Sequence, residues 1–256
     1  YVDKVYKVAR VADDGSIEIN LDYFSYHHST TDTYNRRFVE LFGPEREPES
    51  EFFTLMTHPR RDHPQWDERR AAENQRHADI AASIQYVTEE IMLRMARTAH
   101  RKTGLDNLAM AGGVALNSVG NGRIMRETPF KSVWIQPAAG DAGGALGAAL
   151  YAYHVILGQP RRFVQEHSYL GADYTVARMV EAIQARGFPY ERFDDMERLL
   201  DRATDTILQG KVIGWYQGRF EWGPRALGNR SILADPRRDE MKEIVNRKIK
   251  FREPFR

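Results

Sequence analysis

Two segments, residues 107–117 (NLAMAGGVALN) and 130–141 (FKSVWIQPAAGD), carry one plan twice and narrow the folds open to this chain. Each passes from an apolar, strand-like stretch into a glycine-containing turn, and a helix-forming stretch follows. Two strand–turn–helix units in succession argue for an α/β domain, a sheet flanked by helices. Ligands on such sheets sit at the carboxyl ends of the strands, where these turns lie. Gly112 and Gly113 would let a phosphate or nucleoside approach backbone N–H groups at a helix start. Asn117 closes the first turn. Asp141 opens the next helix, either as its cap or as a metal–phosphate ligand, and position alone favours the cap. A carboxylate there also suits a hard metal ion bridging phosphate oxygens. GGVALN has neither the P-loop nor the dinucleotide spacing, so the motif is weak alone.

A second concentration of chemistry is QGRFEWGPRALGNRS, residues 217–231, after the buried-strand pattern of residues 212–216. It sets Arg219, Arg225 and Arg230 beside Glu221, Gly223, Asn229 and Ser231, with no helical or strand period. Arginines among glycines at a strand end suit a planar anion such as phosphate or carboxylate. A structural salt-bridge network explains the same spacing equally well. Lys250 and Arg252, further on, would add donors for a phosphoryl or carbonyl group, and such a clamp can supply much of a transfer enzyme's rate. No Ser–His or Cys–His arrangement accompanies either site, which points to nucleotide-assisted transfer without a covalent acyl-enzyme.

Composition excludes several classes. With 37 basic and 36 acidic residues the formal net charge is +1, giving no general attraction to nucleic acid or acidic membranes. The absence of cysteine removes disulfides, zinc–thiolate sites and thiol nucleophiles, and a cytoplasmic protein fits best. The uncharged run 142–160 is long enough to raise a membrane span, but its glycines and His154 favour a buried helix. Both ends read as cuts through a longer polypeptide, so that part of an active site would be missing and the isolated chain inactive.

Along the rest of the chain, residues 5–11 and 17–23 flank Asp13-Asp14-Gly15 as a β-hairpin with one wet face. His27 and His28 are adjacent, without metal-ligand spacing, and a structural role is favoured. Residues 43–68 read as a surface connection. Residues 77–102 form the clearest helix, with Ile80, Ile84, Val87, Ile91 and Met95 inward and Gly104 as its stop. Gln85, Glu89 and Glu90 lie about a turn apart, and a solvated face is the safer reading. Helices are expected at 143–157, 176–186, 196–209 and 239–250, a strand at 212–216, and a domain boundary near 158–166.

These blocks resemble a known family. HADIAASIQYVTEEI, NLAMAGGVALNSVGNGRI, QPAAGDAGGALGAAL, GWYQGRFEWGPRALGNRSILADPR and VNRKIKFREPFR are similar, in that order, to the O-carbamoyltransferases of the nodulation and antibiotic-tailoring type. The resemblance implies that residues 1–160 are the C-terminal part of an actin-like, sugar-kinase-like domain that binds nucleotide and metal. It implies that residues 161–256 are a linker and the start of a YrdC-like domain that makes carbamoyl adenylate. Carbamoyl phosphate and ATP would then give the adenylate, and the carbamoyl group would pass to a hydroxyl of a sugar, antibiotic or other natural product.

Carried over by position, Gly112, Gly113 and Asn117 would contact the nucleotide. Asp141 would hold one divalent metal, iron in this family, with or without magnesium, and its partner histidines would lie upstream of Tyr1. Arg225, Arg230, Ser231, Lys250 and Arg252 would act on carbamoyl phosphate, with Glu221, Gly223 and Asn229 lining its pocket and Glu221 orienting the arginines. The implied partners are carbamoyl phosphate and a small hydroxyl acceptor, without nucleic acid or membrane, and a homodimer is compatible. The loop at 43–68 is a candidate for choosing the acceptor. The alternatives are a tRNA threonylcarbamoyl-transfer protein, a sugar kinase, and a non-catalytic nucleotide-binding module; the arginine stretch and the balanced charge count against the first, and the GPRALGNRS block against the second.

Overall fold

The computed structural model describes residues 1–48, 50–57 and 64–252. They form a mixed α/β structure with three two-stranded sheets, in two compact units. The first comprises residues 1–110 and 114–135, the second residues 111–113 and the chain from Gln136 onward.

The first unit opens with α1 (Val2–Val8), whose Val5 and Val8 are buried about a turn apart. It runs into β1 (Ala9–Val11), antiparallel to β2 (Ile17–Ile19). Gly15 turns the chain at a φ of 88°, and Asp14 accepts bonds from Ser16 N and Oγ at 2.9 and 2.7 Å. The expected hairpin therefore exists in short form, because Val5 and Val8 bury at helical spacing. No residue of β2 is covered: Ile17 and Ile19 are 49% and 42% exposed.

Asn35 caps α2 (Arg36–Phe42) by accepting from Arg37 N at 2.9 Å. The long helix α3 (Glu68–Thr103) begins nine residues before the expected start. Its first turns, ERRAAENQR, have no apolar period, but Asp67 accepts from Arg70 N at 2.7 Å and nucleates them. Gly104 ends the helix in the left-handed region, as expected. α3 buries two faces. Val87 joins Val5, Val8 and Phe42 with Ile80 and Ile91 alongside, while Met92, Leu93 and Ala96 pack with Ile124 and Phe130. Ile84 and Met95, expected inward, are 50% and 55% exposed.

The stretch before α3 is not wholly surface. Phe53 has no exposed area and Thr54 2%. Buried Asn74 donates to the carbonyls of Phe53 and Glu51 at 3.0 and 3.2 Å, tying this stretch to the helix. Residues 49 and 58–63 of that connection lie outside the described residues.

β3 (Asn107–Met110) precedes α4 (Ser118–Glu127), and β4 (Ser132–Ile135) returns parallel to β3 with Asn107 opposite Ser132 and Met110 opposite Ile135. This is the expected strand–turn–helix–strand plan.

In the second unit α5 (Gly143–Tyr151) continues into a wider π turn over residues 152–156. Nothing in it is buried, and Val155, Ile156 and Leu157 are 60–70% exposed. Thr175 and Asp195 cap α6 (Val176–Ala185) and α7 (Met196–Leu208). β5 (Ile213–Tyr216) then pairs antiparallel with β6 (Arg230–Leu233), Trp215 opposite Ser231. The second strand was not expected, since Arg230 and Ser231 close a run of loop-like residues. α8 (Met241–Ile244) and a π turn at 245–249 complete the described chain, burying Met241 and Asn246. Among the described residues no helix is long and apolar enough to cross a membrane.

Candidate functional site

Two glycine turns lie side by side in the second unit. Gly112 N donates to Ala139 O at 2.8 Å, and Gly113 Cα lies 4.0 Å from where a Cβ on Gly140 would stand. Gly112 has a φ of 98°, which glycine tolerates. A Cβ at Gly112, Gly113, Gly144 or Gly147 would meet no atom within 4 Å, so the backbone here faces open space. A cradle of bare backbone beside a helix start is the shape an anionic ligand needs.

Asp141 stands in this cradle. The residue before α5 is Ala142, which makes no side-chain cap bond. Asp141 contributes only its carbonyl, accepting from Gly144 N at 3.0 Å. Among the described residues its exposed carboxylate has no hydrogen bond or ion pair, so the cap role favoured by position is not the one adopted. Gln136 Oε1 lies 3.1 Å from where a Cβ on Gly143 would stand.

Asn117, in the first unit, caps α4 by accepting from Gly120 N at 3.1 Å. Its amide and that of Gln85 bond reciprocally at 3.0 and 3.2 Å. Gln85 also donates to Glu89 at 2.6 Å. Arg123 on α4 then binds Glu89 and Glu90 at 3.1 Å each and Glu127 at 2.8 Å. The hydrogen bonds that Arg123 donates to Glu127 and then, against the cost of burial, to Glu89 and Glu90 raise its pKa. The α3 face read from sequence as solvated is therefore a polar joint to α4. Its sequence signal was the one-turn spacing of Gln85, Glu89 and Glu90, with nothing to reveal the partner helix.

The arginine stretch is the loop joining β5 to β6. Glu221, whose side chain is wholly buried, accepts at Oε1 from the backbone N–H of Leu227 and Asn229 at 2.7 and 2.8 Å. Its Oε2 accepts from Arg230 Nε at 3.2 Å. Burial alone would raise the Glu221 pKa, but those N–H groups and the Arg230 charge hold it below the ordinary value. Arg230 also donates to the carbonyls of Gly223 and Arg225. Asn229 donates through Nδ2 to Arg219 O at 2.7 Å, and its carbonyl accepts from Gln217 N.

Glu221, Asn229 and Arg230 thus brace the loop from within. The guanidiniums of Arg219 and Arg225 are left outward, with no partner among the described residues. The structural-network reading holds for Glu221, Asn229 and Arg230, while Arg219 and Arg225 stand outside that network. The brace also fixes Gly223, at a φ of 109°, against the glycine turn: a Cβ there would overlap the Pro137 carbonyl and stand 3.2 Å from Ala138 N.

Ser231 sits on β6. Beyond the π turn Lys250 has no side-chain partner among the described residues, whereas Arg252 donates to Asn246 Oδ1 at 2.8 Å. Just past β6, Arg237 clasps Asp235 through Nε and Nη2 at 2.8 Å each, holding Asp235 at about 2. His27 and His28 bond each other at 3.0 Å. No group of three or more His, Asp or Glu able to hold a metal converges among the described residues.

Comparison with known proteins matches residues 2–150 to the Carbamoyltransferase N-terminus model and residues 204–256 to the Carbamoyltransferase C-terminus model. The uncharacterized protein sll1178 of Synechocystis is 44% identical over 95% of this chain and 37% of its own length. Nodulation protein NolNO of Sinorhizobium fredii is 46% identical over 71% of this chain and 27% of its own. The 3'-hydroxymethylcephem-O-carbamoyltransferase of Streptomyces clavuligerus is 31% identical over 69% of this chain and 32% of its own. The chain thus spans about a third of the length of the curated relatives it matches.

Proposed function

The chain belongs to the carbamoyltransferase family, and from that premise we propose that it is part of an ATP-dependent O-carbamoyltransferase. Carbamoyl phosphate, ATP and water give carbamoyl adenylate, pyrophosphate and phosphate. The acceptor oxygen then attacks the carbamoyl carbon, loses its proton and releases AMP. The acceptor is a hydroxyl of a sugar, antibiotic or other natural product. Residues 1–160 are read as part of an actin-like domain and residues 161–256 as the start of a YrdC-like one, in a cytoplasmic protein.

One observation carries the reading: the braced arginine loop lies on the glycine turn through Gly223 and Pro137. A donor-rich loop against an open backbone cradle suits a reaction joining a carbamoyl group to a nucleotide. Gly112 and Gly113 take the nucleotide phosphates. Arg225, with Ser231, Lys250 and Arg252, grips carbamoyl phosphate, which presents a phosphate and a planar carbonyl to guanidinium forks. Glu221, Gly223, Asn229 and Arg230 hold the loop that aims Arg225. Placing the acceptor hydroxyl beside the activated carbonyl supplies much of the remaining acceleration.

The metal expected of this family finds one carboxylate in the cradle, that of Asp141. A single carboxylate among the described residues does not make a divalent metal site, and no step is assigned to the ion. The test is pyrophosphate release from ATP by the whole protein with iron or magnesium supplied. Release that requires carbamoyl phosphate is the expected result, and its absence would sink the reading.

A further inference from the structure

A groove of about 380 Å³ in the first unit, lined by Arg46, Phe52, His77, Ala78 and Ala81, is absorbed by neither site above. It is built by specific local structure. Gly43, which ends α2 at a φ of 92°, leaves room for the Arg76 guanidinium, which a Cβ there would overlap. Arg76 donates to the carbonyls of Phe42 and Pro44 at 2.6 and 2.8 Å. Its Nη2 also stands 2.9 Å from His77 Nε2. A guanidinium can only donate, so Nε2 accepts and the His77 proton sits on Nδ1. Burial first, then the charges of Arg76 and Arg46, lowers the His77 pKa against the opposing pull of Glu73 and keeps the ring neutral at pH 7.

Arg46 lies over the Phe52 ring, 5.7 Å from its centre. Among the described residues it spends only Nη1, on the carbonyl and hydroxyl of Ser50 at 2.6 and 2.8 Å. Neither Arg46 nor Arg76 has a carboxylate partner among the described residues. The groove thus combines an apolar floor, an aromatic ring, a guanidinium with free donors and an imidazole N–H. Two half-buried cations without a counter-charge favour an anion. Among the described residues Arg46 Nε, Arg46 Nη2 and His77 Nδ1 have no acceptor, and guanidinium and imidazole donors suit the two oxygens of a carboxylate.

We propose that this groove is a binding site for a small ring-bearing carboxylate, whose charged end is held by Arg46 and His77 while its apolar part lies on Ala78 and Ala81.

The test uses 4-(hydroxymethyl)benzoate and its uncharged counterpart benzyl alcohol, titrated against the chain by calorimetry or ligand-observed NMR. The benzoate is expected to bind at least about tenfold tighter, the scale of one charge-assisted hydrogen bond. That preference should vanish in Arg46→Gln. Ala81→Leu fills the floor with every charge kept, and should weaken both probes, so a folding failure in one variant leaves the other decisive. Equal binding of the two probes, or unchanged binding in either folded variant, overturns the proposal.

Discussion

Glu221 Oε2 accepts from Arg230 Nε at 3.2 Å across the base of the β5–β6 loop, while its other oxygen takes the backbone N–H groups of Leu227 and Asn229. One buried carboxylate therefore organises both sides of the loop. Its consequence is a rigid frame from which Arg219 and Arg225 project.

Glu221→Gln should keep the two backbone bonds and lose the charge facing Arg230. The folded Glu221 pKa lies below the ordinary 4.5, so the folded chain binds fewer protons than the unfolded one. That contribution to stability is fully present above pH 4.5 and is lost as pH falls through the folded value. The melting temperature of the variant should lie below wild type at pH 7, and the gap should close on acidification. Asp235, ordinarily 3.8 and held at about 2, adds a similar loss between those two values. A gap independent of pH would contradict the charge role of Glu221.

The two cradle glycines separate backbone strain from ligand contact. Gly113 has no positive φ and open space where a Cβ would stand, so Gly113→Ala should leave thermal stability near wild type. If phosphate lies against that backbone, ATP binding weakens by roughly tenfold or more, about 1.4 kcal/mol. Gly112→Ala should add a backbone penalty of about 1–3 kcal/mol in denaturant unfolding. Unaltered ATP affinity in Gly113→Ala would remove the nucleotide from this turn.

Asp141→Ala should leave circular dichroism and melting temperature unchanged, since its carboxylate caps nothing. Loss of folding would restore the cap role.

Gly223→Ala should separate the arginine loop from the glycine turn, because the new methyl meets the Pro137 carbonyl at an unfavourable φ. A destabilisation of about 1–3 kcal/mol is expected from the backbone alone. The KM for carbamoyl phosphate should rise with it; a kinetically silent variant would show that the contact does not serve the clamp.

Arg123→Met should lower stability in urea unfolding, by less than the loss of one partner of a fully buried ion pair, because 21% of the Arg123 side chain is exposed. It leaves Glu89, Glu90 and Glu127 facing one another without a cation. Adding Glu89→Gln should recover part of the loss, and the absence of any recovery would argue against charge as the cause.

Local signals in the sequence determined much of the molecule. The paired strand–glycine–helix plans became β3–α4 and β4–α5, since apolar runs, glycine turns and helix formers act over a few residues. Gly104 and Gly187 ended their helices for the same local reason. What tertiary structure decided depends on partners distant in the chain. Residues 5–8 are helical and Phe53 is buried because α3 offers them a surface. β6 forms because β5 pairs with it. The arginine stretch divides into a brace and a pair of free guanidiniums because a buried carboxylate can satisfy only the donors that reach it. The spacing of its arginines brings the donors to one loop, but burial of Glu221 selects Arg230 and leaves Arg219 and Arg225 to solvent.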